Sequence, residues 1–539
     1  MPNHLVTNQP PPLQGYDLFA ADPVLPAAVA ASGAGWAAGQ LGELGTKAGS
    51  EEAIGWGFEA NANPPRLRTH DRFGHRLDRV EFHPTYHWLM EAAVAAGLHG
   101  SPWADPQPGA HVARAAAFYV WSQVEAGHGC PISMTYSIVP ALDADAELSG
   151  EWRPRLTSRR YDPSFDRVEN KSGALAGMAM TEKQGGSDVR ANTTRAEADG
   201  AGYRLTGHKW FCSAPMSDLF LMLAQTGNGL SCFVVPRWTP DGVVNAIELQ
   251  RLKDKLGNRS NASSEIELDR AWGRLLGPEG RGVATIMEMI QHTRLDCVIG
   301  AAAGMRQAVV QAVHHARHRR AFGAELVDQP LMVNVLADLA LESQAATALM
   351  VRLAISYDRA GSDDHERAFR RLATAVGKYW VCKRHPGLVA EALECLGGNG
   401  YIEESIMPRL FRESPLNGIW EGSGNVIALD VLRTMARQPD AVEAFMGELG
   451  RAGGADSRYD TALARLTDEL GDLDHIETRA RRVVEQMAVL LEGSLLIRSG
   501  LPAVADAFCA SRLGGDGGHA YGTLPVSVDA RSIVASVLP

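Results

Sequence analysis

The segment 419–425 reads IWEGSGN and places one carboxylate, Glu421, between a tryptophan and a Gly-Ser-Gly turn. Ser423 or Gly424 suits the N-cap of the amphipathic helix predicted to follow. Glu421 lies before that cap, where a carboxylate gains little from the helix dipole. Taken alone, Glu421 is either a solvated loop glutamate or a base aimed at a substrate.

A second segment, 177–189, reads GMAMTEKQGGSDV and combines two hydroxyls, Thr181 and Ser187, with the paired glycines Gly185 and Gly186. Glycines let backbone N–H groups approach a phosphate or a ring edge, and hydroxyls add further donors. The alternative is a plain connecting loop, because short Gly-rich loops are common.

Segment 207–215 reads GHKWFCSAP and places Trp210 and Phe211 side by side on a predicted strand, shortly before Ser213. In an alternating strand only one of the two rings can face inward. The other ring is either a platform for a flat ligand or part of the rim of the core.

Segment 313–323, VHHARHRRAFG, is a basic helix end with His314 and His318 at i, i+4 spacing. It lacks the H-E-x-x-H pattern, so we predict no metal site. The cations either stabilise the helix C-terminus, or Arg319 or Arg320 binds an anion. Farther on, segment 395–405 packs three glycines into four residues, although a C-cap needs only one. This excess indicates that something presses against the backbone.

The elements that carry these segments change along the chain. Residues 1–175 have mainly helical periodicity, 176–281 have the alternation typical of a small β-barrel or sandwich, and 282–439 contain long helices typical of a bundle. Residues 440–539 are again helical in pattern. We therefore predict an α+β fold of four domains with these boundaries, and no Rossmann site, because no βαβ unit carries G-x-G-x-x-G.

Composition narrows the function classes. The 539 residues carry a formal charge of −11, which argues against nucleic-acid binding through the overall field. The seven scattered cysteines are odd in number and lack C-x-x-C, which is typical of reduced intracellular thiols. The N-terminus has no apolar signal region and no span suits a bilayer, so we expect a cytoplasmic protein.

The order of the segments is more specific than any one of them. MTEKQGGSD, GHKWF, KLGNRS, GPEGRG, R-x-x-F-G, GGNGY and WEGSGN follow one another as they do in the acyl-CoA dehydrogenase family, which the chain resembles over roughly residues 80–437. NANPP at 61–65, RLKDKLGNRSNAS at 251–263, and extensions at both ends resemble one branch, the AidB-like flavoproteins of the bacterial alkylation response. The family's architecture is an N-terminal helical domain, a central β-barrel domain and a C-terminal four-helix bundle. Here an extra helical domain would follow.

The resemblance implies FAD bound between the β domain and the bundle, with Glu421 as the catalytic base. The positions that match the family's cofactor site are Met180, Thr181, Gly186, Ser187, Phe211, Ser213, Trp420, Ser423 and Asn425. The positions that match contacts to the FAD of a neighbouring subunit are Arg319, Phe322, Gln329, Gly398 and Gly400. These contacts would make a dimer obligatory, and we expect a homotetramer built as a dimer of dimers.

The implied reaction is dehydrogenation of an acyl-CoA. Glu421 would remove the α-proton while a hydride passes from the β-carbon to flavin N5. A carboxylate in an apolar, water-poor site accepts a proton more readily, and Trp420 would exclude water there. In the family, the backbone N–H of the base and the FAD ribose stabilise the charge that develops on the thioester oxygen.

Several departures from the family pattern leave the substrate open. Ser423 and Asn425 stand where the family usually has Thr and Glu, Phe211 stands for the common Trp, and the spacing from Phe322 to Gln329 is one residue shorter. The AidB-like branch shares these departures. The sequence does not specify the acyl chain or the electron acceptor.

The alternative function is therefore that of a DNA-associated AidB-like flavoprotein with little dehydrogenase turnover. Residues 440–539 contain nine arginines, no lysine and fifteen acidic residues, which gives a formal charge of −6. Duplex binding needs a concentration of cations, and only Arg479, Arg481 and Arg482 cluster. The acidic tail thus favours the dehydrogenase over double-stranded DNA as a partner.

Overall fold

The computed structural model describes residues 3–472 and 474–538. The chain forms two compact units, each assembled from separate stretches of sequence. The barrel unit comprises residues 52–107 and 124–293. The bundle unit comprises residues 1–51, 108–123 and 294–539.

The centre of the barrel unit is a seven-stranded sheet. Its strands are β3 (Ala176–Ala179), β4 (Arg195–Asp199), β5 (Gly202–Ser213), β6 (Leu219–Thr226), β7 (Gly229–Pro236), β8 (Ile247–Leu252) and β9 (Ser263–Leu276). The path β6-β4-β5-β9-β7 closes on itself because β7 also pairs with β6, and β3 and β8 attach to β6 and β9. The predicted β-barrel is confirmed, and closure leaves few free strand edges.

The barrel core follows from the alternation of apolar residues along these strands. Leu205, Phe220, Phe233 and Ile266 point into one buried cluster, where each is at most 1% exposed. β6 and β7 are apolar on both faces, which predicts strands covered on both sides.

The barrel unit also holds helices α3 (Glu51–Ala62), α4 (Pro84–Ala95), α5 (Ser101–Ala104), α7 (Gly129–Leu142) and α8 (Ala146–Leu156). The predominantly helical pattern assigned to residues 1–175 missed a hairpin of β1 (Arg66–His70) and β2 (Arg76–Glu81). Alternating residues on both sides of an Asp-Arg-Phe-Gly turn were the available signal. Leu67 and Val80 pack against the barrel core, which explains why the segment is extended.

The bundle unit is almost entirely helical. Its long helices are α10 (Pro330–Arg359) and α11 (Asp364–Cys395), together with the part of α9 (Gly282–His318) from residue 294 onward. The others are α1 (Leu25–Val29), α2 (Ala38–Ala48), α6 (Ala110–Ser122), α12 (Gly398–Tyr401), α13 (Met407–Glu413), α14 (Gly424–Arg437), α15 (Pro439–Gly450), α16 (Ser457–Gly471), α17 (Ile476–Ile497), α18 (Pro502–Phe508) and α19 (Ala530–Ala535). A two-residue-per-strand hairpin, β10 (Arg320–Ala321) and β11 (Ala324–Glu325), separates α9 from α10.

Helices α10, α11 and α14 pack in sequence, and α9 approaches α11 closely. A Cβ on Gly304 of α9 would lie 2.3 Å from Nε2 of His385 on α11, so only glycine permits this approach. The last hundred residues dock on the bundle through a buried ion cluster. Glu342 of α10 accepts from Arg384 of α11 at 2.9 Å and from Arg512 at 3.2 Å.

All seven cysteines are free thiols, and six of them are buried. Over residues 3–472 and 474–538, none of the helices has both the length and the hydropathy needed to cross a bilayer.

Candidate active site

The turn that carries Glu421 is tighter than its sequence alone specifies. Glu421 has a φ of +57°, a left-handed conformation that non-glycine residues rarely adopt, and Gly422 follows with a φ of +108°. Such backbone strain persists only where the surroundings hold it, and it is common at functional sites. The Glu421 side chain is half-buried.

Two buried cations hold the backbone of this turn. Arg294 of α9 donates from Nε to the carbonyl of Glu421 at 3.1 Å, and Lys378 of α11 donates from Nζ to the carbonyl of Gly422. Lys378 is 1% exposed, so its ammonium replaces water with this carbonyl. The two carbonyls on either side of the Glu421–Gly422 step are thereby fixed.

Arg294 is itself fixed from the other side. Its Nη1 donates to Oδ2 of Asp430 at 2.7 Å, and Arg371 donates to Oδ1 of the same carboxylate at 3.0 Å. Burial alone would raise the pKa of Asp430, but the two guanidinium groups outweigh it and lower that pKa. Asp430 lies on α14, so the helix that follows Glu421 is coupled to the turn through Arg294.

The remaining predicted residues of this segment surround the helix start. Trp420 is half-buried and donates from Nε1 to Asn417 at 2.8 Å. Ser423 occupies the N-cap position of α14 with its hydroxyl exposed. Asn425 accepts a 2.7 Å hydrogen bond from Nε of Arg481 on α17. A Cβ on Gly424 would lie 2.9 Å from the Lys383 side chain, so this glycine allows close approach.

In the barrel unit, the segment after β3 is organised by Glu182. This side chain is fully buried and pairs with Nζ of Lys209 at 2.9 Å. It also accepts hydrogen bonds from the backbone N–H and the hydroxyl of both Thr193 and Thr194, at 2.6–3.1 Å. Glu182 therefore anchors the loop to β4 and β5.

Burial would raise the pKa of Glu182, but the Lys209 ammonium and the hydrogen bonds from Thr194 and Thr193 more than compensate. The net result is a pKa well below the ordinary glutamate value. The carboxylate is thus permanently ionised and has a structural role.

The functional groups predicted in this loop are presented outward. Met180 and Thr181 are half-buried, and Gly186 and Ser187 are exposed. A Cβ on Gly186 would lie 2.4 Å from Oγ1 of Thr181, so glycine is needed for the backbone to come this close. Among the described residues, the hydroxyls of Thr181 and Ser187 have no hydrogen-bond partner. Open hydroxyls beside a glycine backbone form a donor set that fits a flavin ring edge or a phosphate.

The backbone N–H of Trp210 donates to the carbonyl of Thr181 at 2.8 Å, which brings this loop beside Phe211 on β5. Strand alternation allows only one of the two rings to face inward, and in the structure neither ring is buried. β5 has an extra residue relative to β9 between Lys209 and Cys212, and this bulge breaks the alternation. Phe211 is 49% exposed, while Trp210 lies under Nζ of Lys253, 3.2 Å from its ring centroid.

Ser213, at the end of β5, is half-buried, and its hydroxyl lies 3.5 Å from that of Ser263. An exposed, flat Phe211 ring near open hydroxyls is the arrangement that a stacked aromatic cofactor requires.

Three protein-family profiles match the chain. Residues 8–163 match the N-terminal domain of the adaptive response protein AidB, residues 177–271 the acyl-CoA dehydrogenase middle domain, and residues 280–436 the acyl-CoA dehydrogenase C-terminal domain. The chain is also 47% identical over 519 residues to an Escherichia coli K12 protein described as a putative acyl-CoA dehydrogenase AidB, covering 96% of this chain and 95% of that one. The chain belongs to the acyl-CoA dehydrogenase family.

Other relatives agree. Acyl-CoA dehydrogenase family member 11 of Caenorhabditis elegans is 32% identical over 406 residues, covering 72% of this chain and 65% of that protein. A crystal structure of Caenorhabditis elegans ACDH-11 in complex with C11-CoA superposes with a TM-score of 0.87 at 28% identity, covering 95% of this chain and 93% of that one. Acyl-CoA dehydrogenase family members are FAD-dependent oxidoreductases that act on CH–CH bonds.

The positions that the family resemblance assigns to a neighbouring subunit form a separate group in the bundle unit. Arg319 directly follows the last residue of α9, and Phe322 is the tip of the β10–β11 hairpin, 99% exposed with a φ of +52°. Gln329 donates to the carbonyl of Ala321 at 3.1 Å and so braces this hairpin.

The three glycines of the GGNGY segment have different surroundings. A Cβ on Gly400 would lie 2.3 Å from the carbonyl of Leu393, so the pressing neighbour is the chain's own helix α11. Gly397 has a φ of +59°, whereas Gly398 is exposed with open space around it. The run of glycines predicted a close neighbour of this backbone, but not that the neighbour is α11.

The histidine pair on α9 has other partners. His314 bonds from Nε2 to the carbonyl of Pro11 at 2.8 Å, and His318 bonds to the carbonyl of His314. In the described part of the chain, there is no group of three or more metal-ligating side chains.

Sequence reasoning missed the residues that hold the Glu421 turn, Arg294 and Lys378. Lys378 is the only charge in the run ATAVGKYWVC, and a lone cation on an apolar helix needs a buried partner. Sequence reasoning also gave no prediction of a role for Glu182. The arginine cluster of the tail is engaged: Arg479 and Arg482 pair with Glu469, and Arg481 with Asn425.

Proposed function

We propose that this chain is an acyl-CoA dehydrogenase in which Glu421 removes the α-proton of an acyl-CoA thioester. The observation that carries the proposal is the Glu421 turn. A left-handed glutamate whose own carbonyl and the next are held by Arg294 and Lys378 presents a fixed carboxylate. A base held in one orientation is what proton abstraction from carbon requires.

FAD, when bound, supplies the two-electron oxidation by accepting the hydride that leaves the β-carbon. In the barrel unit, the open hydroxyls of Thr181 and Ser187 and the exposed Phe211 ring fit this cofactor, and Met180, Gly186 and Ser213 lie on the same two segments. In the bundle unit, Trp420, Ser423 and Asn425 flank the base and complete the proposed set.

The chain's own residues account for the acid–base part of the reaction. The carboxylate of Glu421 takes the α-proton and becomes a neutral acid. The developing negative charge on the thioester oxygen needs donors, and the backbone N–H of Glu421 serves as one of them. Because Arg294 and Lys378 fix the neighbouring peptide groups, this N–H does not have to reorganise during the reaction. The half-buried Trp420 limits water around the base.

The substrate class follows from the relatives. The ACDH-11 structure, with a TM-score of 0.87, contains C11-CoA. We propose an acyl-CoA of medium to long chain as the substrate here.

The exposed apolar residues of the bundle unit support an oligomer. Phe322, Leu331 and Tyr401 are large apolar side chains that are at least 80% exposed, and a subunit contact would remove them from water. Phe322 lies on the hairpin that the family uses to reach a neighbour's FAD. We therefore propose that Arg319, Phe322, Gln329 and the Gly398–Gly400 turn contact the cofactor of a second subunit, within a dimer of dimers.

The last hundred residues do not support the alternative function of DNA association. The tail is acidic, and its three clustered arginines are engaged within the fold. Phosphate contacts release counterions only where cations are available to make them.

The test is an anaerobic titration of the FAD-loaded protein with saturated acyl-CoAs of increasing chain length. We expect at least one of them to bleach the flavin absorbance and to yield the 2-enoyl-CoA. The matched 2-enoyl-CoA is the control for simple binding. It should leave the flavin absorbance unbleached. If no acyl-CoA bleaches a flavin that dithionite reduces, the proposal is wrong.

A further inference from the structure

Residues 3–14 form an extended arm that contains neither helix nor strand. Three consecutive prolines, Pro10, Pro11 and Pro12, stiffen it, because proline fixes φ and favours the polyproline conformation. Leu5, before the prolines, is 89% exposed. An apolar core therefore does not hold the arm in place.

Polar contacts to the end of α9 hold it instead. Asn8 pairs with the peptide of Arg320 on both sides: the Arg320 N–H donates to Oδ1 at 2.7 Å, and Nδ2 donates to the Arg320 carbonyl at 2.9 Å. Nη1 of Arg319 donates to the Asn8 carbonyl at 2.5 Å. Asn8 has a φ of +59°, a conformation that asparagine tolerates better than most residues.

The contacts continue along the arm. Nδ2 of Asn399, in the GGNGY segment, donates to Oε1 of Gln9 at 2.9 Å. The Pro11 carbonyl lies 2.8 Å from Nε2 of His314. Residues 8–11 thus connect the end of α9 and the adjacent β10–β11 hairpin to the glycine-rich turn, which is far away in sequence.

The hairpin needs such support. It contains two residues per strand, paired as Arg320 with Glu325 and Ala321 with Ala324. Strands this short are not stable by themselves. The side chain of Asn8 pairs with the outer edge of β10, as a further strand would.

The contacts also leave Arg319 ready for an anion. Arginine has five N–H donors, and among the described residues only one from Arg319 is used, to the Asn8 carbonyl. The remaining N–H groups suit a phosphate oxygen. The Asn8 carbonyl orients the guanidinium without neutralising it.

We propose that Asn8 is a positioning residue that fixes the hairpin and Arg319 for binding the FAD pyrophosphate, with Gln9 doing the same for Asn399. This rests on the proposed function, which assigns Arg319 to the cofactor. The arm is then part of the cofactor-binding apparatus although it does not touch the pyrophosphate itself.

The experiment compares Asn8→Ala with Asn3→Ala, an exposed asparagine of the same arm, in the full-length FAD-loaded protein. Flavin fluorescence after dilution measures FAD release, and hydrogen–deuterium exchange measures protection of the peptide that contains Arg320. We expect Asn8→Ala to release FAD about tenfold faster and to exchange the Arg320 amide faster. Asn3→Ala should match the wild type in both.

Arg319→Ala and the double variant separate the inference from the proposed function. If Arg319→Ala leaves FAD release unchanged, the assigned role of Arg319 fails. If Arg319→Ala accelerates release but Asn8→Ala does not, the positioning role fails. In the double variant, Asn8→Ala should add nothing to Arg319→Ala, and full additivity would overturn the inference.

Asn8→Asp keeps the acceptor for the Arg320 N–H and loses the donor to its carbonyl. It should fall between the wild type and Asn8→Ala in both measurements. It also guards against a fold defect in the alanine variant, because it keeps the size of the side chain. Release slower than wild type, or as fast as Asn8→Ala, would contradict the positioning role of the paired contact.

Discussion

Two glutamates lie in two glycine-containing segments of this chain, and their surroundings differ. The carboxylate of Glu182 is enclosed by Lys209 and by the hydroxyl and N–H groups of Thr193 and Thr194. Around Glu421 the cations bind the backbone, where Arg294 and Lys378 take the carbonyls of residues 421 and 422. In the first arrangement the cation binds the carboxylate itself, and in the second the cations bind the backbone that carries the carboxylate.

The difference shows that the role of a glutamate in such a motif depends on which group the neighbouring cations bind. A buried cation paired with a carboxylate lowers its basicity and makes it structural. A buried cation bound to the adjacent backbone positions the side chain instead. The left-handed φ of Glu421 is the visible cost of the second arrangement.

The largest effect is expected from breaking the first arrangement. Glu182→Ala leaves the ammonium of Lys209 buried and unpaired, so the free energy of unfolding should fall by about 3–5 kcal/mol. Chemical denaturation of the FAD-free protein would measure it. Glu197→Ala, at an exposed strand position of the same sheet, is the control and should change stability little. Equal losses in the two variants would contradict the anchoring role.

Loosening the second arrangement should affect catalysis more than stability. Lys378→Met removes the donor to the Gly422 carbonyl while keeping most of the side-chain volume. The turn then loses one of its two anchors, and we expect flavin reduction by an acyl-CoA to slow by about ten- to a hundredfold. Stopped-flow absorbance would measure the rate, with the exposed Lys47→Met as control. An unchanged rate would mean that Arg294 alone fixes the turn.

The pairing of Glu182 also predicts a response of stability to acid. The pKa of Glu182 is lowered in the folded protein, so its contribution to stability is present above the ordinary value of 4.5 and is lost as the pH falls below it. Below that value the wild type should lose about 1.4 kcal/mol more per pH unit than Glu182→Gln. Denaturation curves between pH 5 and pH 3, a range on both sides of the ordinary glutamate pKa, would measure how the free energy of unfolding of each variant depends on pH. Parallel slopes would contradict the assignment.

The smallest effect is expected at the edge of the second region. Arg481→Ala removes a hydrogen bond to Asn425 at an exposed position, which is worth about 1 kcal/mol or less. FAD release should change by less than about fivefold. Arg482→Ala, which breaks an exposed pair with Glu469, is the matched control. A much larger effect at Arg481 would make the last hundred residues part of the cofactor site.

The fold could be predicted because the periodicity of the apolar residues changes along the chain from helical to β and back to helical. This prediction missed the β1–β2 hairpin, where Arg66, Arg68 and Arg76 dilute the apolar signal and only Leu67 and Val80 reach the core. The bulge in β5 was also missed, because a single extra residue in a strand leaves no recognisable pattern in the sequence. That bulge decides whether Phe211 faces inward or outward.

For the candidate site, the order of the motifs predicted Glu421 and the Thr181–Ser187 loop, but not the residues that hold them. The anchors come from residues distant in sequence, such as Lys378 on α11 and Asn8 in the arm, and no local pattern pairs them with their partners. The left-handed φ of Glu421 was equally invisible, because glutamate has no preference for it.

Proton abstraction by Glu421 is the central claim, and deuterium loss from carbon tests it without relying on turnover. The FAD-loaded wild type and Glu421→Gln would be incubated anaerobically with an acyl-CoA that carries two deuterons on the α-carbon. Mass spectrometry would follow their exchange with water, and Glu404→Gln, an exposed glutamate of the same unit, is the control. The account predicts exchange by the wild type and by Glu404→Gln, and exchange slower by at least about a hundredfold in Glu421→Gln with FAD still bound. Exchange by Glu421→Gln at the wild-type rate would show that another group takes the proton.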